Sequence, residues 1–126
     1  MNEHSTPFKS RPGLARVWRA CTYSWAGLRS AFRHEAAFRQ ELAVGVPALM
    51  LVPFVAPGRM EGLLMAASVL LVWIVELLNT GLEALADSVS VERHPLLGRA
   101  KDLGSAAVMG SIALAVLVWG VILWPG

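Results

Sequence analysis

The chain has 126 residues, of which 56% are hydrophobic and only 16% are charged. This composition is too apolar for an ordinary soluble domain of this length and predicts a single-domain integral membrane protein. The formal net charge is +2, and Cys21 is the single cysteine, which excludes an intrachain disulfide.

The amino-terminal third of the chain is basic. Residues 1–13 contain two prolines and few apolar side chains, and we expect a flexible tail there. From residue 14 to about residue 36, apolar residues recur at steps of three and four, as on one face of a helix. They are Leu14, Val17, Trp18, Cys21, Trp25, Leu28 and Phe32. A basic helix of this kind is expected to lie on an anionic membrane surface rather than on a nucleic acid.

Three apolar segments predict transmembrane helices at about residues 38–57, 62–86 and 103–124. A helix needs about 20 residues to cross a bilayer. The first segment contains Pro47 and Pro53, so we expect its helix to be kinked or to begin upstream of the apolar run. The predicted fold is all-α, and residues 14–126 form one membrane domain with a surface helix and three spans.

The basic residues predict the orientation of the chain. Seven precede the first long apolar run, three lie between the second and third spans, and one, Arg59, lies between the first and second. Basic loops stay in the cytoplasm. We therefore expect the amino terminus and the 87–102 loop inside, and the carboxyl terminus outside.

The second predicted span contains four polar side chains that recur on one face. Glu76, Asn79, Glu83 and Asp87 fall within a stripe about 80° wide on an α-helix. Ionisable groups at membrane depth are costly and indicate a functional site, although carboxylates paired for helix association or along a water-filled passage are an alternative. Carboxylates suit hard divalent cations, and one held in an apolar site can serve as a general base.

Two further regions suggest chemistry more weakly. The segment from Glu92 to Ser105 places basic residues and glycines near a helix start, which suits a polyphosphate. Cytoplasmic loops are often basic, however, and the segment lacks the P-loop order. Glu35 would return to the edge of the apolar stripe if the surface helix runs unbroken, and a solvated carboxylate is an equally good interpretation. The three histidines lack metal-site spacing.

Four segments together carry a more specific signal. They are YSWAGLR at 23–29, EAAFRQE at 35–41, ExxNxxxExxxD at 76–87 and GRAKDxGSAA at 98–107. In order and spacing they closely resemble the small bacterial integral membrane diacylglycerol kinases, from about residue 14 to the carboxyl end. The resemblance implies ATP-dependent phosphorylation of diacylglycerol to phosphatidic acid. It also implies a homotrimer in the bacterial cytoplasmic membrane, with sites shared between subunits, lipids as partners and no nucleic acid.

The resemblance also implies roles for individual residues. Glu76 matches the general base, with Asn79 required beside it, while Glu35 and Glu83 match the ligands of the Mg²⁺ that accompanies ATP. The other positions that match nucleotide contacts are Arg16, Tyr23, Glu92, Arg93, His94, Lys101 and Asp102. Positions that match lipid contacts are Arg16, Ser24, Trp25, Arg29, Gln40, Glu76 and Ser105. Departures from the family pattern are Pro47, Pro53 and Pro95.

Three other interpretations remain. A kinase of the related type that phosphorylates undecaprenol would share the carboxylate motif and differ only in its acceptor. A small ion-coupled transporter could use Glu76 and Glu83 as a cation relay, and would show no ATP dependence. A membrane protein with a purely assembly role would tolerate replacement of these carboxylates by amides.

Overall fold

A computed structural model describes residues 12–89 and 94–126 of the chain. These residues form four helices: α1 (Pro12–His34), α2 (Ala36–Val55), α3 (Arg59–Val89) and α4 (Pro95–Leu123). The last three are long and apolar enough to cross a membrane. The predicted all-α class, with one amino-terminal helix before three candidate spans, is confirmed for the described residues.

Helix α1 belongs to the first of two compact units, which ends at His34. It starts at Pro12, so Pro12 and Gly13 are helical although the sequence analysis assigned them to the tail. Proline fits the first helical position because that backbone nitrogen has no partner within the helix. The apolar stripe of α1 is exposed, with Leu14 at 84% and Trp18 at 72%. An exposed apolar face on a basic helix is the pattern expected at a membrane surface.

The second unit starts at Glu35, where the backbone is extended (φ −114°, ψ 107°). The surface helix therefore does not run unbroken to residue 36, and Glu35 lies at the start of α2 rather than on the stripe of α1. Its carbonyl oxygen accepts a hydrogen bond from the backbone N–H of Arg39 at 3.2 Å. Arg33 and His34 occupy the last turn of α1, where positive charge complements the helix dipole.

Helix α2 runs through both Pro47 and Pro53 without a break. It also begins at Ala36, upstream of the apolar run, which is one of the two outcomes expected for this segment. Each proline removes a backbone donor from the helix. Membrane helices tolerate this loss because neighbouring helices and local adjustments satisfy the freed carbonyl groups.

Helix α3 packs against both α2 and α4. In its most apolar stretch 33% of the residues are buried, against 11% for α2 and 6% for α4. Two indole N–H groups link the three helices. Trp73 Nε1 of α3 donates to the Glu41 carbonyl oxygen of α2 at 3.0 Å, and Trp119 Nε1 of α4 donates to the Met65 carbonyl oxygen of α3 at 3.0 Å. The central helix is thus fixed to both neighbours.

A groove of about 450 Å³ lies among α2, α3 and α4. Its walls are mainly apolar and include Val72, Ile112 and Val116, while Gln40 and Glu41 contribute polar groups from the beginning of α2. The fold therefore places an apolar groove among the three candidate spans, lined on α3 by residues of the turns that precede Glu76.

Candidate active site

The polar stripe of α3 forms the centre of the candidate site. Glu76 is 4% exposed, Glu83 is half-buried and Asp87 is exposed. Glu83 interacts electrostatically with Glu35, Glu76 and Asp87. Glu35, from the start of α2, therefore lies within electrostatic range of Glu83 of α3, and we call these four residues the carboxylate cluster. Such a concentration of negative charge favours a cation.

Lys101 of α4 supplies positive charge to the cluster. Its Nζ donates to Asp87 Oδ1 at 2.5 Å, with 41% and 63% of the two side chains exposed. Lys101 also interacts electrostatically with Glu83. An exposed ion pair of this kind contributes little to stability, because solvent screens it. Lys101 can consequently exchange Asp87 for another anion at little cost.

Asn79 faces α4 at a point of very close approach. Its Oδ1 is buried and accepts no hydrogen bond from the described residues. A Cβ atom added at Gly104 of α4 would overlap this oxygen. The absence of a side chain at residue 104 therefore allows Asn79 to take its position between the two helices.

Glu41 is a member of the site to which the sequence analysis gave no role. It lies in α2, where its Oε1 is buried and accepts no hydrogen bond from the described residues, and its backbone carbonyl oxygen accepts one from Trp73 of α3. Thr80 Oγ1 donates a longer bond to Glu76 Oε2 at 3.4 Å. The signal that could have found Glu41 is an ionisable residue beside the first apolar run, but such a residue is usually an interfacial charge.

His94, one of the predicted nucleotide contacts, directly precedes α4. His94 caps α4, because its Nδ1 accepts a hydrogen bond from the N–H of Leu96 at 3.2 Å. Pro95 takes the first helical position, where proline is well suited. Glu92 and Arg93 lie outside the described residues.

The remaining predicted residues fall into two groups. Gln40 of α2 and Asp102 and Ser105 of α4 are exposed and belong to the same compact unit as the carboxylate cluster. The others belong to the first unit and are exposed on α1, namely Arg16, Tyr23, Ser24, Trp25 and Arg29.

The carboxylate oxygens of Glu35 and Glu83 are the candidate ligands for a magnesium ion. Among residues 12–89 and 94–126, no group of three or more His, Cys, Asp or Glu side chains is arranged to hold a metal. Magnesium in nucleotide sites is usually held by one or two carboxylates, with substrate phosphates and water completing the shell. Glu35 and Glu83 fit that pattern, since both offer oxygen ligands to a metal that arrives with phosphate.

Comparison with known proteins identifies the family. The family model described as prokaryotic diacylglycerol kinase matches residues 22–123. The diacylglycerol kinase of Pseudomonas aeruginosa is 46% identical over 118 residues, which cover 94% of this chain and 96% of the relative. The diacylglycerol kinase of Escherichia coli K12 is 45% identical over 112 residues, or 89% and 92% of the two chains. The chain belongs to the prokaryotic diacylglycerol kinase family.

Family membership confirms the resemblance inferred from the four sequence segments. A more distant relative, the diacylglycerol kinase of Helicobacter pylori 26695, is still 33% identical over 120 residues, covering 95% of this chain and 93% of that one. These relatives are bacterial, and three helices of the chain are apolar and long enough to span a bilayer. The chain is therefore a bacterial membrane protein of the kinase class.

The contact between Gly104 and Asn79 generates a prediction. Gly104→Ala should displace the Asn79 side chain and lower kcat by about 10–100-fold, because small misplacements of an active-site group are costly. The matched control is Gly110→Ala in the same helix, where an added Cβ has no neighbour within 4 Å. Steady-state kinase assays on both purified variants measure the effect. Equal activities of the two variants would contradict the close-approach argument.

Proposed function

We propose that the chain transfers the γ-phosphoryl group of ATP directly to the primary hydroxyl of diacylglycerol, yielding phosphatidic acid and ADP. The observation that carries this proposal is the burial of Glu76, 4% exposed, within a cluster of carboxylates on a membrane helix. Phosphoryl transfer depends mainly on positioning and on neutralisation of charge. Glu76 lies on a helix that also lines an apolar groove, and Lys101 pairs with Asp87 on the same stripe, so the site offers both a position for a lipid acceptor and positive charge.

Glu76 acts as the general base. Its carboxylate accepts the proton of the lipid hydroxyl while the hydroxyl oxygen forms a bond to the γ-phosphorus and the bond from that phosphorus to the bridging oxygen of ADP breaks. Asn79, one helical turn further along α3, lies on the same face and orients the reacting groups.

Lys101 contacts the phosphates of ATP. In the free protein Lys101 pairs with Asp87, and the exposure of this pair makes exchange for a phosphate oxygen inexpensive. The further nucleotide contacts are assigned to Arg16, Tyr23, Glu92, Arg93, His94 and Asp102.

Glu35 and Glu83 hold the magnesium ion that accompanies ATP. When bound, such an ion neutralises the negative charge that accumulates on the phosphates. Glu35 lies at the start of α2 and Glu83 lies in the fourth quarter of α3, so the two ligands come from different elements. Their mutual electrostatic interaction is unfavourable without a cation and favourable for binding one.

The groove among the three candidate spans receives an acyl chain of the lipid. Its apolar walls suit a hydrocarbon chain, and Gln40 at its lining is one of the assigned lipid contacts. Ser24, Trp25, Arg29 and Ser105 complete that set. The hydroxyl of diacylglycerol lies near the membrane interface, so a lipid in this groove can present it to Glu76.

The site faces the cytoplasm of a bacterium, where ATP is available. The distribution of basic residues supports this orientation, since Arg99 and Lys101 lie near the start of α4 whereas Arg59 starts α3 at the opposite side. The amino terminus then lies inside the cell and the carboxyl terminus outside, in the cytoplasmic membrane.

The active protein is a homotrimer. Glu83 and Thr80 remain partly exposed in the single chain, although both belong to a candidate span. Polar groups on a span that face hydrocarbon are costly, and a neighbouring subunit can cover them. The resemblance to the family implies three subunits and sites shared between them.

Replacement of Glu76 tests the base. Glu76→Gln keeps the shape of the side chain but cannot accept the proton, and turnover should fall by about 10²–10⁴-fold. Glu61→Gln is the matched control, because Glu61 lies in the first turn of the same helix, far along the chain from the cluster. Radiolabel transfer from ATP is measured on both variants after assembly is verified by size-exclusion chromatography. Near-normal turnover in Glu76→Gln would eliminate Glu76 as the base.

Replacement of the metal ligands tests the magnesium assignment. Glu35→Gln and Glu83→Gln should each raise the magnesium concentration that gives half-maximal activity, because each removes one anionic oxygen ligand. Added magnesium should partly restore activity in both variants. Activity is titrated with magnesium at fixed ATP, again beside Glu61→Gln. A magnesium dependence identical to that of the unmodified chain in both variants would identify these residues as structural carboxylates.

Mixing of inactive variants tests the shared site. If one complete site takes Glu76 from one subunit and Arg16 from its neighbour, mixed trimers of Glu76→Gln and Arg16→Ala chains contain some sites with neither lesion. Activity should therefore reappear on mixing, with an affinity tag on one variant to verify subunit exchange by co-purification. Verified mixed trimers that stay inactive would assign each complete site to one chain.

A further inference from the structure

The indole ring of Trp73 in α3 lies directly against Gly45 of α2. Gly45 is buried, and a Cβ atom added to it would stand 2.5 Å from Cζ2 of the ring and 2.9 Å from both Cε2 and Nε1. A side chain at residue 45 would therefore overlap the ring, and either the ring or the helix would have to move. The missing side chain of Gly45 allows the two helices to approach at this level.

A hydrogen bond holds the same ring. Its Nε1 donates to the Glu41 carbonyl oxygen at 3.0 Å, and Glu41 lies one helical turn before Gly45. An indole side chain is rigid and has only two torsions. With its N–H bonded to one residue of α2 and its ring packed on another, it fixes both the distance between the helices and their axial register. We call this packing and this hydrogen bond together the Trp73 contact.

Equal spacing carries the register to the proposed magnesium ligands. Glu35 lies ten residues before Gly45, at the start of α2, and Glu83 lies ten residues after Trp73 in α3. Only three residues join these two packed helices, so the helices run antiparallel. Ten residues span about 15 Å along either helix axis. The Trp73 contact therefore brings Glu35 and Glu83 to about the same level.

The helix faces agree with this register. A step of ten residues on an α-helix returns to within about 80° of the starting direction, so the sides of α2 and α3 that meet at Gly45 and Trp73 also carry the two carboxylates. Magnesium requires near-octahedral geometry with ligand distances of about 2.0–2.1 Å. A slip of one residue, about 1.5 Å along the axis, would consequently disturb the pair of ligands.

We infer that Trp73 and Gly45 are positioning residues, whose contact sets the register of α2 against α3 and thereby holds Glu35 and Glu83 at the separation that a magnesium ion needs. This inference rests on the proposed role of Glu35 and Glu83 as magnesium ligands. Glu76 lies on α3 together with Trp73, so a shift of α2 leaves its place along that helix unchanged. Loss of the register should therefore weaken metal binding more than it slows phosphoryl transfer.

Single substitutions on the two sides of the contact test the register. Gly45→Ala should raise the magnesium concentration that gives half-maximal activity by about tenfold, because the added methyl group displaces the ring or the helix. Trp73→Phe keeps an aromatic ring but has no N–H, and should raise that concentration by about three- to fivefold. At saturating magnesium kcat should stay within about threefold in both variants. Gly110→Ala in α4, where an added Cβ has no neighbour within 4 Å, is the control and should match the unmodified chain.

A double substitution shows whether the indole ring is the group that Gly45→Ala displaces. Trp73→Met replaces the ring by a flexible apolar side chain that can move away from an added methyl group. Gly45→Ala should therefore have no further effect on the magnesium dependence of Trp73→Met, a departure from additivity that reports direct contact. The full effect of Gly45→Ala in that background would overturn the inference.

Binding of Mn²⁺ supplies a readout that does not depend on turnover. Carboxylate and phosphate oxygens suit Mn²⁺ as they suit Mg²⁺, and electron paramagnetic resonance measures its protein-bound fraction in the presence of a non-hydrolysable ATP analogue. Gly45→Ala and Trp73→Phe should both bind Mn²⁺ more weakly than the unmodified chain. A purely structural role would lower thermal stability and leave Mn²⁺ affinity unchanged, which would overturn the inference. If Gly45→Ala does not assemble, Trp73→Phe decides the question.

Failure of the proposed magnesium ligands has a different signature. Glu35→Gln and Glu83→Gln are titrated with Mn²⁺ under the same conditions. Unchanged binding in these two variants would remove the ligand assignment, and the inference with it. Weakened binding in both, together with normal binding in Gly45→Ala and Trp73→Phe, would keep the ligands and overturn only the positioning role of the Trp73 contact.

Discussion

A carboxylate on an apolar membrane helix is tolerated only where protein groups offset its charge, and this constraint governs the architecture around Glu76. The side chain is 4% exposed, so its partners must come from the chain itself. Thr80 supplies a hydroxyl from the next turn of α3, whose Oγ1 donates to Glu76 Oε2 at 3.4 Å. The indole of Trp73 holds the backbone of Glu41 against α3. Helix packing and the chemistry of the site therefore depend on the same contacts.

Much of the fold follows from periodicity and hydropathy, because a bilayer leaves a chain few alternatives to apolar helices. The exceptions are local. Glu35 interrupts the predicted surface helix, since its extended backbone ends α1 and begins α2. Pro47 and Pro53 do not break α2, although the intrinsic preference of proline disfavours helix interiors. In both places the outcome depends on neighbouring elements or on the solvent, which a propensity assigned residue by residue does not include.

Residues of the candidate site that share one helix could be predicted from the sequence, whereas contacts between helices could not. The stripe formed by Glu76, Asn79 and Glu83 is a property of one helix, so its spacing was readable from the sequence. The contacts of Trp73 with Glu41, and of Gly104 with Asn79, require the register of one helix against another. The spacing of residues along one helix does not determine how that helix is aligned with its neighbour. These contacts became visible only once the helices were packed.

Acceptor choice is the point on which the account is most directly tested, because an undecaprenol kinase would share the carboxylates and a transporter would not use ATP. Purified chain in mixed detergent–lipid micelles is supplied with γ-labelled ATP and either diacylglycerol or undecaprenol, with Glu76→Gln as the blank. We expect label to appear in phosphatidic acid, with diacylglycerol the much better acceptor. Label found only in undecaprenyl phosphate, or in neither lipid with assembled protein, would contradict it.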